Sequence, residues 1–114
     1  MTEPSPTNHQ SNILYHGKKG YVTHCTCCQS FQIAFGNTII YHDEQDYQSF
    51  IKVLETYFKT FQNKVKPNCR CIQINTPVQN FNLLFSLSEL TELINILNKA
   101  FLVFQAERLA NDQN

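Results

Sequence analysis

Residues 31–58 read FQIAFGNTIIYHDEQDYQSFIKVLETYF, and the spacing of their apolar positions changes once along the way. Phe31, Ile33 and Phe35 recur at every second residue, which places them on one face of a strand. Gly36-Asn37 is a two-residue turn signal, because both residues accept the positive φ of tight hairpin turns, and Thr38 to His42 continues as the returning strand. From Asp43 the spacing becomes three and four residues: Tyr47, Phe50, Ile51, Leu54 and Phe58. This predicts a helix with Asp43 as its N-cap, running to about Gln62 before Pro67 imposes an extended segment. The fold is built on this order of strand, turn, strand and capped helix.

Working outward, Ile13 to His16 and Tyr21 to His24 are short strand-type runs joined by Gly17-Lys18-Lys19-Gly20, a hairpin. On the other side, Arg70 to Asn75 alternates with Ile72 and Ile74 on one face. Thr76 to Asn80 turns the chain, and Phe81, Leu83 and Phe85 alternate again. Ser86 and Glu89 have capping-box spacing at the head of a second helix striped by Leu90, Leu93, Ile94, Leu97 and Phe101. The halves match at an offset of 43 residues, Asp43 with Ser86 and Tyr47 with Leu90. A duplicated ββα unit and the common grammar of any two such units both account for this. The expected architecture is α+β: an antiparallel sheet of about five or six strands with two helices on one face. Residues 1–12 read as a polar, disordered leader, 13–110 as a single domain and 111–114 as a frayed tail.

The chain has 114 residues with nine basic and nine acidic side chains, enough for one hydrophobic core. Without a basic excess there is no counterion-release drive, so a nucleic-acid partner is not expected. No apolar run is long enough to span a bilayer, and Met1 to Gln10 has neither the basic nor the apolar region of a secretory signal. A cytoplasmic location, where thiols stay reduced, follows as the expectation. No P-loop, dinucleotide-binding, zinc-protease or hydrolase-elbow motif is present. His42-Asp43-Glu44 reads as a helix start and not as an acid–base group.

All five cysteines fall in two short clusters. In His24-Cys25-Thr26-Cys27-Cys28, Cys25 and Cys28 have C-x-x-C spacing between two strands, the form of a zinc-knuckle hairpin. In Cys69-Arg70-Cys71, residues two apart on a strand point the same way. Four thiolates in two pairs suit tetrahedral Zn²⁺, so the expected metal ligands are Cys25, Cys28, Cys69 and Cys71. Cys27, His24 and His16 are competing ligands. Ordinary buried cysteines and reversible thiol chemistry stay open as other readings, while an odd count and no signal argue against disulfides.

Gly20-Tyr21-Val22, His24-Cys25 with Cys28, residues 31–37 (FQIAFGN) and the helix start at residues 85–90 (FSLSEL) resemble a family of short uncharacterised bacterial proteins, a domain of unknown function. The resemblance covers most of the chain beyond the leader and implies no activity. It supports Cys25 and Cys28 more than Cys27, Cys69 or Cys71. The reading that follows is a non-enzymatic binding or scaffolding module with a structural zinc site. Its alternatives are a thiol-redox or metal-transfer protein using Cys25 and Cys28, and a nucleic-acid-binding zinc protein. The second helix is apolar beyond one stripe, which predicts a homodimer through Ile96, Phe101, Val103 and Phe104, with burial under the first hairpin as the competing explanation.

Overall fold

The structure, a computed structural model, describes residues 11–112. The predicted leader as far as Gln10 and the last two residues of the predicted tail lie outside them. Six strands and two helices follow one another as β1 (Ser11–His16), β2 (Gly20–Cys25), β3 (Ser30–Phe35), β4 (Thr38–His42), α1 (Glu44–Phe61), β5 (Ile72–Asn75), β6 (Asn82–Phe85) and α2 (Leu87–Asp112). The fold is α+β, as the patterning indicates.

One expectation needs correcting. The strands do not form a single sheet: β1 to β4 make a four-stranded antiparallel meander, and β5 and β6 pair separately. Within the meander, Val22 and His24 of β2 share a face with Phe31 and Ile33 of β3 and with Ile40 of β4, the side the helices cover. β1 begins at Ser11 and pairs Ser11 with Cys25 and Asn12 with His24, so the strand takes in the last two residues of the predicted leader. The offset of 43 residues maps the start of α1 onto the start of α2, and β4 largely onto β6. The preceding strands fall out of step, because the β5–β6 connection is longer than the Gly36-Asn37 turn.

Both helix starts follow their sequence signals. Asp43 Oδ1 accepts from the Asp46 amide at 2.7 Å. At α2 the capping box is complete: Ser86 Oγ accepts from the Glu89 amide at 3.1 Å, and Glu89 Oε1 from the Ser86 amide at 2.9 Å. Helix α2 buries a wide arc of Leu87, Leu90, Leu93, Ile94, Ile96, Leu97, Ala100 and Phe104, because it packs on α1, on β1 and β2, and on β6 at once. This explains its apolar surplus. Ile96 and Phe104 are buried within the chain, and Phe101 stacks on Tyr47 at 5.6 Å. Of the four residues assigned to a dimer surface, Val103 alone is exposed.

Tyr47 ties the layers together. It is fully buried, and its hydroxyl donates to the Leu97 carbonyl at 2.7 Å, joining α1 to α2. Gly20 shows a different constraint, since a Cβ there would lie 1.9 Å from the Ala34 carbonyl oxygen on β3. Removing the Tyr47 hydroxyl alone (Tyr47→Phe) is expected to cost about 1 kcal/mol of unfolding free energy, as urea denaturation would measure. Gly20→Ala is expected to cost about 1–3 kcal/mol by the same measurement, because β2 must move off β3.

Candidate metal centre

The hairpin between β2 and β3 is set by register. Cys25 pairs with Ser30, so residues 26–29 must reverse the chain. They do so in one tight turn: the Gln29 amide donates to the Cys25 carbonyl at 2.9 Å, and Gln29 has φ 57°, a conformation few non-glycine residues adopt. The Gln29 side chain holds it there, its Nε2 donating to the Thr26 carbonyl at 2.7 Å.

The last residue of β2 and two of the four turn residues carry sulfur. Sγ of Cys25, Cys27 and Cys28 all lie within 4.8 Å of one another, with 3.3 Å between Cys25 and Cys27. Zinc–sulfur bonds of about 2.3 Å at tetrahedral angles set sulfurs roughly 3.8 Å apart, so a small opening of the Cys25–Cys27 contact would seat a cation. The Cys28 amide donates to Cys25 Sγ at 3.4 Å. Cys25 is buried beneath the turn, while Cys27 and Cys28 are exposed.

The crowding has an electrostatic signature. Hydrogen bonding to Cys25, followed by desolvation, pushes the thiols of both Cys27 and Cys28 above their ordinary value. Without a cation the cluster resists collecting negative charge. A bound cation would reverse this by replacing the protons.

The structure does not unite the two cysteine clusters. The Ser88 amide donates to the Pro67 carbonyl, and Arg70 pairs with Glu89 at 2.6 Å, so Cys69 and Cys71 sit at the start of α2. The His24 ring packs on Phe104 at 4.8 Å, placing the turn near the other end of that helix. From Glu89 to Phe104 the helix rises roughly 22 Å at 1.5 Å per residue, too far for ligands of one ion. Cys69 and Cys71 therefore lie apart from Cys25 and Cys28, and the cysteines placed close enough together to hold one ion are Cys25, Cys27 and Cys28.

Neither histidine completes the set. Strand alternation turns His24 away from Cys25, onto the helix side, where its ring lies between Phe31 at 4.6 Å and Phe104. His16 is on β1 opposite Tyr21, four residues along β2 from Cys25, or roughly 13 Å at 3.3 Å per residue.

A model of a family of unknown function, DUF6686, matches residues 7–108. The chain belongs to that family. The resemblance read from the sequence thus stands at the family level. Neither a curated protein nor a solved structure matches the chain. No helix among the described residues is long and apolar enough to cross a membrane.

The sequence did not reveal that His24 is buried and His42 half-buried. Desolvation holds the pKa of His24 and His42 below the usual 6.5, against opposing pulls from Glu44 and Glu107 on His24 and from Asp46 and Asp43 on His42. Their folded values lie below the unfolded one. The stability they contribute is complete above about pH 6.5 and is lost as pH falls through the folded values. His24→Phe keeps a ring between Phe31 and Phe104, and it is expected to flatten the fall in urea midpoint between about pH 7.5 and 5.5 relative to the unmodified chain.

Proposed function

We propose that the protein is a small non-enzymatic binding module whose β2–β3 turn holds one Zn²⁺ through Cys25, Cys27 and Cys28. The observation that carries this reading is the convergence of three sulfurs within 4.8 Å on a single turn. Thiolates are soft donors suited to zinc, and a shared cation offsets the mutual resistance of these thiols to ionising. Three protein ligands leave the fourth tetrahedral position to water or to a donor from a partner.

The surface next to the turn suits a protein partner. The face of the meander turned away from the helices carries Ser11, Ile13, His16, Tyr21, Thr23, Cys25, Ser30, Gln32, Ala34, Ile39 and Tyr41, with no lysine, arginine, aspartate or glutamate. Ile13 and Tyr41 are 65% and 64% exposed. An uncovered, uncharged sheet face with exposed aliphatic and aromatic side chains favours protein association over nucleic acid. A reducing compartment such as the cytoplasm keeps the thiols competent to bind metal. Metal transfer is the second reading, favoured by the exposure of Cys27 and Cys28 together with an open coordination position.

Alkylation of the zinc-loaded protein tests the assignment. Cys25, Cys27 and Cys28 should be protected and lose that protection with a chelator, while Cys69 and Cys71 should react at the same rate with or without it. Rapid alkylation of all five in the presence of zinc would reject the site. Because the metal must displace protons from thiols of raised pKa, zinc affinity is expected to increase with pH through the neutral range, as competition with a chromophoric chelator would show.

A further inference from the structure

The cluster left outside the metal centre has its own chemistry. Cys69 and Cys71 are exposed, and the Cys71 amide donates to the Cys69 carbonyl at 3.0 Å, closing a three-residue turn. The sequence pattern suggested a strand from Arg70, but this turn delays β5 until Ile72. Residues two apart have Cα atoms at most about 7 Å apart when extended, and the turn shortens this into the roughly 4.4–6.8 Å range that a disulfide spans. Cys71 Sγ donates to the Cys69 carbonyl at 3.5 Å, and hydrogen bonding with the Cys69 side chain pushes the Cys71 thiol up. No third cysteine, histidine or carboxylate joins them in a metal-competent group among the described residues, so the pair supplies only half of a tetrahedral shell. Arg70, between the two, is held by two Glu89 oxygens and lines a cavity of about 530 Å³ between the β3–β4 hairpin and β6. The turn is thus braced on α2 while its thiols face solvent.

We propose that Cys69 and Cys71 form a reversible dithiol–disulfide centre that exchanges two electrons with low-molecular-weight disulfides, separately from the metal site. One of the two, as thiolate, attacks a sulfur of R–S–S–R; that S–S bond breaks and R–S⁻ leaves, taking a proton from solvent. The second thiol gives its proton to solvent, and its sulfur attacks the mixed disulfide, expelling the other R–S⁻, which is protonated in turn. The protein pair loses two electrons, and the small disulfide ends as two R–SH. The closed ring stiffens the segment entering β5, which Arg70–Glu89 and Ser88–Pro67 already link to the capping box of α2.

The test equilibrates the zinc-loaded full chain with mixtures of reduced and oxidised glutathione, followed by acid quenching, alkylation and trypsin. Cleavage after Arg70 separates residues 65–70 from 71–99, so a Cys69–Cys71 bond appears as these two peptides joined and lighter by two hydrogens. At a constant glutathione ratio, diluting both forms tenfold should raise the ratio of joined to reduced peptide about tenfold, because closing the ring releases two thiols per disulfide consumed. Cys69→Ser should abolish the joined peptide, leave glutathione bound to Cys71 and leave zinc per chain unchanged. The proposal is overturned if the joined peptide is absent at every ratio, if dilution leaves the balance unmoved, or if Cys69 or Cys71 links instead to the cysteines of the β2–β3 turn.

Discussion

The pairing of Cys25 with Ser30 requires residues 26–29 to reverse the chain in a single turn, and the convergence of the three sulfurs depends on that constraint. A turn this short cannot disperse its side chains. With cysteine at the last strand position and at two of the four turn positions, the sulfurs converge whether or not a cation is present. The bond from the Gln29 amide to Cys25 and the left-handed backbone at Gln29 fix the return path. The β2–β3 ladder, anchored by the tight approach of Gly20 to Ala34, fixes where it starts. Register, turn and donor set are linked, so a change in one moves the others.

Helix α2 supplies the second organising constraint. It touches both sheets and the other helix, and most of its apolar arc is therefore spent inside the chain. Its two ends carry the two cysteine clusters. At one end the capping box and the Arg70–Glu89 pair hold the Cys69–Cys71 turn. Towards the other, Phe104 packs on His24, and Arg108 lies over the Phe104 ring while pairing with Glu44 of α1. A rigid rod between the clusters keeps them apart, and each must be understood through its own surroundings.

Much of this was legible in the residues themselves. Periods of two and of three to four located the elements, and Asp43 and the Ser86–Glu89 pair located both helix starts, because these signals are local. The split into two sheets was not legible, since which strand edges meet depends on how α2 packs against both layers. The cysteine grouping was half legible for the same reason. Cys25 and Cys28 belong to one turn, and spacing alone brought them together. Joining Cys69 and Cys71 to them required knowing the path of forty intervening residues. Cys27 falls outside the C-x-x-C spacing, and the turn brings its sulfur to 3.3 Å from that of Cys25. The surplus apolar face of α2 left a partner and burial under the first hairpin both open, and α1, the β1–β2 hairpin and β6 pack against that helix.

The proposed centre gives a cation three sulfurs from this turn and no more. X-ray absorption at the zinc edge of the metal-loaded protein counts those ligands directly. The account predicts three sulfurs at about 2.3 Å and one lighter oxygen or nitrogen donor at about 2.0 Å. A shell of four sulfurs, or one with none, would contradict it.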